Sequence, residues 1–375
     1  MNEPLGHFVA WRTLRVGSRE VLEGLLRLDS RGPSPELAHA LSCWEGAWYW
    51  TDPSKTRITL IRPLSENRPR WAIHVLLFVL TLLCALGAGS VLIGEWEPAG
   101  ARGGLGDAVI GAAYYFYDVI RGDWRHLLPG WSFAVPLLAI LLVHEAGHYL
   151  TARRYALDAT PPFFLPVPPT LSPIGSLGAF IRLRSAVLDR RQLLDVGAAG
   201  PLAGFVLALA ILLWGYEVSE RIAIVAGSSP SYVTLAGQPV FLGESLLTGW
   251  LRDWVLAGEG AVHLSAPAFA GWVGLFVTGL NLLPLSQLDG GHILYGMIGR
   301  RQGVFGLATI IALLYLAQRS PMWYVWVVIA LLAGGGRWGH PPVLISERHV
   351  PASRRWLGLV SVVVFVLTFV PYPFA

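Results

Sequence analysis

Two histidines and a glutamate lie within one turn of a predicted apolar helix. Residues 137–155 read LLAILLVHEAGHYLTARRY, and the motif HEAGH contains His144, Glu145 and His148. Positions i and i+4 share one face of an α-helix, so His144 and His148 can bind one metal ion while Glu145 reaches a water bound to it. This is the spacing of the H-E-x-x-H zinc hydrolases. Ionisable residues are costly in lipid and mark functional pathways there, and a zinc ion with a catalytic water would account for them.

A carboxylate much further along the chain could supply a third ligand. Residues 281–292 read NLLPLSQLDGGH, in which Asp289 follows an apolar helix and precedes two glycines. Glycines allow close approach of the backbone, which suits a carboxylate carried on a turn. Two histidines and one carboxylate leave the fourth tetrahedral position of zinc open for water, as catalytic sites do. HEAGH alone could be a chance match, and the second motif argues against that alternative.

Three motifs together resemble the site-2 protease family of intramembrane zinc metalloproteases. They are HEAGH at 144–148, the small-residue run GAAGPLAG at 197–204 and NLLPLSQLDGGH at 281–292, each in or beside an apolar span. The resemblance covers residues 131–300. It implies hydrolysis of peptide bonds within the membrane, with transmembrane proteins as substrates and Zn²⁺ as the cofactor.

The donor types and the resemblance predict a role for each site residue. The three expected zinc ligands are His144, His148 and Asp289. Glu145 is expected to act as the general base that takes a proton from the attacking water. By resemblance, Asn281 is expected to donate a hydrogen bond to the developing oxyanion. His292 follows the two glycines and is expected to support a ligand rather than to bind the metal.

The composition indicates an integral membrane protein. Of 375 residues, 54% are hydrophobic and only 14% are charged, and the mean hydropathy is +0.53; such values are typical of membrane proteins. The net charge of +4 is small and not interleaved with exposed aromatic residues, so membrane lipid is expected as a partner and nucleic acid is not. Cys43 and Cys84 are the only cysteines, which argues against a disulfide framework and a thiolate zinc site.

The predicted fold is an all-α polytopic membrane protein with a re-entrant β-hairpin or loop and a small α+β N-terminal soluble domain. Residues 1–70 are rich in charge and lack a continuous apolar run, so we expect a cytosolic domain and no cleavable signal peptide. Residues 71–375 are expected to form a membrane domain of about seven spans, with the catalytic core at 131–300. The N-terminal domain could regulate or dock, or could only help the chain to fold or localise.

Local patterns predict the elements of the N-terminal domain. Apolar residues at helical spacing predict a helix over residues 18–27. A serine followed by a proline at 34–35 predicts the start of a second helix that ends near residue 43. Residues 47–50 and 57–61 flank a turn and are predicted to form a β-hairpin.

Seven apolar stretches are predicted to cross the membrane, since a hydrocarbon core of about 30 Å needs roughly 20 apolar residues. They are residues 71–94, 131–151, 195–215, 267–284, 304–318, 322–332 and 356–374. Arginine pairs flank three of them at 153–154, 300–301 and 354–355. By the positive-inside rule these ends face the cytosol, together with the N-terminus and the opening of the active site. The membrane would be that of a cell or the inner membrane of an organelle.

The connecting segments also carry predictions. Residues 95–128 are expected to form an external loop with an interfacial helix. Prolines exclude a helix from residues 161–184, which we interpret as a re-entrant loop and short hairpin that could pair with an unwound substrate by β-addition. A surface loop that only closes the protein is the alternative. Residues 216–265 are expected to be external, with a helix over 241–255.

The small-residue run predicts a close helix contact. Gly200 and Gly204 form a G-x-x-x-G spacing in the third predicted span. We expect this helix to pack against the second predicted span, which contains HEAGH. A dimer contact is the alternative.

Two other classes of function are compatible with a zinc site in a membrane. A transport or receptor protein could retain the fold without catalysis, and a scaffold could use zinc to brace helices. Glu145 argues against transport, which needs no base beside the first ligand. A scaffold would be favoured by a fourth protein ligand, and the sequence offers three strong candidates.

Overall fold

The computed structural model describes most of the chain. The described residues are 4–16, 19–26, 34–44, 46–63, 69–97, 104–122, 124–155, 157–184, 187, 189–222, 230–256, 261–341, 343 and 350–374. Within them, helices predominate, and they are accompanied by two four-stranded sheets and one two-stranded sheet.

The N-terminal region is a four-stranded antiparallel sheet covered on one face by a helix. Its elements are β1 Phe8–Val16, β2 Arg19–Leu26, α1 Pro35–Ser42, β3 Ala47–Trp50 and β4 Arg57–Pro63, and the strand order is β1-β2-β4-β3. The Ser34 hydroxyl caps α1 by accepting a hydrogen bond of 3.1 Å from the Leu37 N–H, as serine does at helix starts. Leu37 and Leu41 then pack on Leu22 and Leu60 of the sheet. The predicted second helix and the β3–β4 hairpin are thereby confirmed.

The predicted helix over residues 18–27 is wrong, because residues 19–26 form strand β2. Leu22 and Leu26 face α1, whereas Val21 lies on the opposite face of the sheet with Ile61. Adjacent apolar pairs fit one stripe of a helix and also a strand buried on both faces, so periodicity alone does not separate the two. These residues form a strand because they pair with β1 on one side and with β4 on the other.

The turn between β3 and β4 is held by the Asp52 carboxylate. It accepts hydrogen bonds from the hydroxyls of Ser54 and Thr56 and from the backbone N–H groups of Thr56 at 3.0 Å and Arg57 at 2.8 Å. The hydroxyl hydrogen bonds, followed by those of the backbone, hold the pKa of Asp52 well below its usual range. A lowered folded-state pKa means that this carboxylate stabilises the turn above its unfolded value of about 3.9, and that the contribution is lost as the pH falls further.

We therefore predict that Asp52→Asn loosens the turn at neutral pH but not in strong acid. Hydrogen exchange of the Thr56 and Arg57 amides in the full-length protein should be faster in the variant at pH 7. The difference should shrink as the pH falls below about 4, where the carboxylate of the opened turn takes up a proton, and vanish in stronger acid once the folded carboxylate is protonated as well. Equal exchange in the two proteins at pH 7 would contradict the prediction.

The rest of the described chain is mainly helical. The helices are α2 Trp71–Leu92, α3 Leu105–Arg121, α4 Trp131–Arg154, α5 Arg190–Glu217, α6 Leu246–Leu256, α7 Ala266–Asn281, α8 Asp289–Ile298, α9 Gln302–Leu316, α10 Met322–Ala333 and α11 Ala352–Thr368. The strands are β5 Phe163–Pro166, β6 Ser176–Phe180, β7 Glu220–Ile222, β8 Ser231–Leu235, β9 Gln238–Leu242 and β10 Ala261–His263.

Four helical segments of the described chain are long and apolar enough to cross a membrane, which makes this a polytopic membrane protein. They are Trp71–Leu92, Arg125–Arg154, Arg190–Glu217 and Asp289–Leu316. The first three contain most of the first three predicted spans. The predicted total of seven exceeds this number, because α7, α10 and α11 have only 16, 12 and 17 residues. The predicted span 304–318 forms only the second half of the fourth segment.

The helices α4, α5 and α7 form the centre of the membrane region. Helix α7 is short for a span yet apolar throughout, and it is buried along most of its length, as an all-apolar helix in a protein core is. Glycines let its neighbours approach. A Cβ on Gly271 of α7 would lie 2.6 Å from the Leu212 nitrogen of α5, and one on Gly215 of α5 would lie 2.3 Å from the Ala268 nitrogen of α7.

The small-residue run of α5 packs on α4, the helix that contains the HEAGH motif, as predicted. It does not face outwards as a dimer contact. A Cβ on Gly204 would lie 3.1 Å from the Cβ of His144. From the other side, a Cβ on Gly147 of α4 would lie 2.5 Å from the Ala199 carbonyl oxygen of α5. The backbones of α4 and α5 therefore approach each other because both surfaces lack side chains at the contact.

The proline-rich segment forms the predicted hairpin, in which β5 pairs with β6 in antiparallel fashion. The hairpin lies along α2. Near the start of α2, Nδ1 of His74 is 3.0 Å from the Pro162 carbonyl oxygen. Further along α2, a Cβ on Gly175 would lie 2.4 Å from the Cys84 carbonyl oxygen, and Gly175 has a φ of +71°. Only glycine combines that conformation with so close a contact.

A four-stranded sheet between α5 and α7 was not predicted. Its strand order is β7-β10-β8-β9, with one parallel pair between β10 and β8. The predicted helix over residues 241–255 begins later, at Leu246, because Phe241 and Leu242 belong to β9. The helix predicted within residues 95–128 is present as α3, whose exposed side chains include Ile110, Tyr114 and Tyr117.

Candidate metal centre

Helix α4 carries the HEAGH motif in the buried centre of the membrane region. His144, Glu145 and His148 are only 5%, 5% and 6% exposed. Leucines and isoleucine before the motif favour a helix that is buried on most sides, and the i and i+4 histidines lie on one face of it. The ring centroids of His144 and His148 are 4.9 Å apart.

Asp289 reaches the same place as the first residue of α8. The turn was predicted to carry this carboxylate, but Asp289 belongs to the first turn of a helix that follows the loop 282–288. The glycines after it serve packing, as expected. A Cβ on Gly290 would lie 1.9 Å from the Leu282 carbonyl oxygen, and one on Gly291 would lie 2.2 Å from that of Ser286. Side chains at either position would push α8, and Asp289 with it, away from the histidines.

Three donor atoms converge in the geometry of a zinc site. Nε2 of His144 is 3.1 Å from Nε2 of His148, and Oδ2 of Asp289 is 3.3 Å from each of these nitrogens. Tetrahedral zinc with bonds of about 2.0 to 2.1 Å separates two ligand atoms by about 3.3 Å. Two imidazole nitrogens and a carboxylate oxygen are also the donor types that zinc accepts, so the residues fit Zn²⁺.

The orientation of His148 is set by helix α5. Its Nδ1 lies 2.8 Å from the Val196 carbonyl oxygen. Because a carbonyl can only accept, Nδ1 carries the proton, and Nε2 keeps the lone pair that a metal ligand requires. The ring fits because Gly200 has no side chain, since a Cβ there would lie 2.1 Å from Nε2 of His148.

We predict that Gly200→Ala displaces His148 and lowers zinc affinity by about 10- to 100-fold, the range seen when the support of a metal ligand is lost. Zinc content of the purified protein, titrated against a chelator, would measure this. Gly106→Ala in α3 is the control, because a Cβ there meets no atom within 4 Å. Unchanged zinc affinity in Gly200→Ala would show that the ring is free to move without losing the metal.

Asn281 ends helix α7 beside the three donors. Its Nδ2 is 3.2 Å from Nε2 of His144, so the amide points at the three donors. An N–H donor at this position is what the predicted oxyanion-binding role of Asn281 requires. Glu145 also faces the cavity at the centre and is not one of the three converging donors. Its carboxylate faces the backbone of Ile181, just after β6.

The centre opens into a cavity of about 800 Å³. The cavity is lined by residues 179–183, at and after β6, and by a second group of residues, which are Gln287, Leu288, Asp289, His292, His340, Pro341 and Val343. In this second group His292 lies beside His340, and His340 was not predicted from the sequence. The only local signal is a histidine before two prolines at 340–342, and nothing in the chain indicates that it meets His292, 48 residues away.

The fold and site define a class: a polytopic membrane protein with a buried His-His-Asp cluster that fits a metal ion, and with a glutamate beside it. The model of Peptidase family M50 matches residues 132–318. The chain belongs to this family, as the resemblance to the site-2 proteases predicted.

Curated relatives agree with this assignment. The chain is 34% identical over 256 residues to the probable zinc metalloprotease EGY2, chloroplastic, of Arabidopsis thaliana, an alignment that covers 66% of this chain and 42% of that protein. It is 31% identical over 331 residues to the probable zinc metalloprotease EGY1, chloroplastic, of Oryza sativa subsp. japonica, covering 83% of this chain and 53% of that protein. The chain thus spans about half the length of these relatives. No solved structure matches it.

Proposed function

We propose that this protein is a zinc-dependent intramembrane endopeptidase that cleaves transmembrane segments of other membrane proteins. The observation that carries the proposal is the three-donor centre with Glu145 beside it, buried among helices long enough to span a membrane. His144, His148 and Asp289 would hold the metal. The relatives are named as probable zinc metalloproteases, which supports the proposal.

Each of the side chains around the cavity has a separate role in the proposed peptide hydrolysis. Bound Zn²⁺ would supply a Lewis acid that acidifies water and polarises the peptide carbonyl. Glu145 takes the proton of the attacking water and passes it to the leaving nitrogen. Asn281 donates from Nδ2 to the carbonyl oxygen as charge develops on it. Val196 keeps the His148 ring in its binding orientation through the bond to Nδ1.

The substrate would enter this cavity as an extended strand. A transmembrane helix hides its peptide bonds within its own hydrogen bonds, so it must unwind before cleavage, and helices with Gly, Pro or polar residues unwind most easily. Among the described strands, β6 pairs with β5 alone, and the chain at 179–183 lines the cavity. An unwound segment could therefore add to the free edge of β6.

The centre is proposed to lie towards the cytosolic side of the membrane. Tyr155, just after α4, donates a hydrogen bond to Asp195 of α5, and Arg354 of α11 lies 3.5 Å from the same carboxylate. The arginine-rich ends of α4 and α11 thus meet at one face, which the positive-inside rule assigns to the cytosol. Arg19 of β2 interacts electrostatically with Asp158 at this end, so the N-terminal domain belongs to the same side.

A zinc scaffold without catalysis receives less support. In the described part of the chain, three histidine and carboxylate donors converge, and a closed structural site needs four protein ligands. The neighbouring glutamate is buried in the cavity, which a transport protein or a brace would not require.

Cleavage in reconstituted membranes tests the proposal. The purified full-length chain is placed in proteoliposomes with synthetic transmembrane peptides whose centres contain glycine or proline, and with matched peptides that have leucine there. We expect cleavage inside the hydrophobic segment, identified by mass spectrometry, that prefers the first set, stops on zinc chelation and returns with added zinc. Cleavage that continues unchanged after complete zinc removal, or a zinc-loaded protein that leaves every peptide intact, would refute the proposal.

A further inference from the structure

Two histidines form a pair on the cavity wall beyond the metal ligands. His292 lies one turn after Asp289 in α8, and its Nδ1 is 2.8 Å from Nε2 of His340. The two ring centroids are 4.9 Å apart with nearly perpendicular planes, and the His340 ring also packs on Tyr295. Both histidines line the cavity that contains Glu145.

The hydrogen bonds of this pair determine which nitrogens carry protons. Nδ1 of His340 bonds to the Pro341 carbonyl oxygen, which can only accept, so this nitrogen is the donor. Burial lowers the pKa of His340 to about 4, so the ring is neutral at neutral pH and its Nε2 has a lone pair. Nε2 must therefore accept from the Nδ1–H of His292.

The remaining nitrogen of His292 is consequently an acceptor. A neutral imidazole has one N–H, and a positive charge on His292 would be disfavoured by a divalent cation at the neighbouring centre. Nε2 of His292 hence holds a lone pair. It forms no hydrogen bond with any residue in the described ranges, and the residue faces the cavity.

The pair is held rigidly on both sides. The backbone N–H of His340 donates to Oε1 of Gln302 at 2.8 Å, and Nε2 of Gln302 donates to the Pro284 carbonyl oxygen at 2.9 Å. Gln302 is fully buried, with 0% exposed. On the other side, a Cβ on Gly197 of α5 would lie 2.8 Å from the Cβ of His292. Such fixed geometry is what a pre-organised binding group requires.

An extended substrate would need an acceptor at this position. The N–H and C=O groups of a strand point alternately to its two edges. One edge of a peptide that lies beside β6 would be paired, and the other would face the wall that contains His292 and His340. An unpaired N–H at membrane depth is costly, so each needs a partner within the protein.

The geometry points to His292 as a substrate-binding residue whose Nε2 accepts a hydrogen bond from a backbone N–H of the bound peptide, on the edge opposite β6. His340 is then a positioning residue, because it fixes the tautomer of His292 without touching the peptide. This inference rests on the proposed peptidase function and deepens it by naming how the far edge of the substrate is held.

Substrates with one amide replaced by an ester test the contact. In such peptides a single backbone N–H is absent, and the ester is moved through the positions that flank the cleaved bond. For the wild-type protein we expect kcat/KM to fall about tenfold at one position, the effect of one hydrogen bond. His292→Phe should lower kcat/KM for the all-amide peptide about tenfold and show no further loss at that position.

His340→Phe separates positioning from packing, because phenylalanine keeps the ring against Tyr295 but cannot accept a hydrogen bond. We expect a fall in kcat/KM with unchanged zinc content. Nitrogen-15 spectra of histidine-labelled protein should show His292 protonated at Nδ1 in the wild type and no longer restricted to that tautomer in His340→Phe. His263→Phe is the control. His263 is a half-buried histidine stacked on Tyr232 in the distant sheet, and its replacement should change neither kcat/KM nor the nitrogen-15 signals of His292.

The outcomes separate the two proposals. A wild-type protein that cleaves none of the peptides would refute the peptidase function itself. A wild-type protein that cleaves, but whose ester sensitivity is identical in His292→Phe at every position, would overturn the role of His292. A spectrum with the His292 proton on Nε2 would overturn it as well, because that nitrogen could not then accept.

Discussion

Glu145→Gln is expected to abolish peptide cleavage while zinc remains bound. Glutamine has nearly the shape of glutamate but cannot take a proton from water, and a general base contributes about 10²- to 10⁴-fold to a rate. The three converging donors are unchanged in this variant. We therefore expect kcat to fall by about that factor, with zinc content equal to that of the wild type. Peptide cleavage in proteoliposomes and metal analysis of the same samples would measure both.

The control for this prediction is Glu217→Gln. Glu217 ends α5 and is exposed, so the same chemical change there should leave cleavage and zinc content unaltered. Undiminished cleavage by Glu145→Gln would mean that another group takes the proton. A loss of zinc along with cleavage would mean that the carboxylate supports the metal rather than the reaction.

Asp289→Ala is expected to remove the metal and, with it, all cleavage. Oδ2 of Asp289 is the only donor of the converging set that α8 supplies, and without it two imidazoles remain. Loss of a supporting residue lowers metal affinity roughly 10- to 100-fold, so loss of a direct ligand should exceed that. The protein should purify with substoichiometric zinc, and added zinc should restore activity poorly. Metal analysis and a chelator titration would measure the change.

Asp253→Ala serves as the comparison for this variant. Asp253 is an exposed carboxylate of α6, paired with Arg252 and remote from the centre. The Asp253→Ala variant should retain full zinc content. If Asp289→Ala also purified with one zinc per chain and normal affinity, Asp289 would not be a ligand, and the proposed centre would be wrong.

The two variants together separate metal binding from chemistry. Glu145→Gln should yield a zinc-loaded, inactive protein, and Asp289→Ala a zinc-poor, inactive one. A zinc scaffold or transport protein would lose its function in the second case alone. This contrast is the simplest way to distinguish a peptidase from a membrane protein that shares its fold.

Close packing of α4, α5 and α8 is as much a part of the centre as the ligands. Gly200 leaves room for the His148 ring, and Gly197 leaves room for α8 beside α5. Apolar helices gain little by excluding lipid from one another, so small residues that bring backbones together largely determine how they associate. The precision of the proposed metal site thus depends on glycines that do not themselves take part in metal binding or in the reaction.

Several features of this protein followed from the amino-acid sequence alone. His144, Glu145 and His148 could be predicted because their relation is local, and helix geometry places i and i+4 on one face. The first spans followed from their length and apolarity, and the proline-rich segment excluded a helix for a local steric reason. Asp289 was predicted from its donor type, from the two glycines that follow it and from the resemblance of its motif, because no local rule brings it to α4.

Other features were decided by the tertiary structure. Residues 19–26 became a strand because β1 and β4 pair with it on both sides, although the apolar spacing suited a helix. The sheet of β7 to β10 and the pairing of His292 with His340 join residues that are far apart in the chain. Periodicity and composition predict the secondary structure that each segment can form by itself. Which other segment it contacts depends on packing and hydrogen bonding between residues that are distant in the chain. Those contacts produce no recognisable pattern in the sequence of either segment.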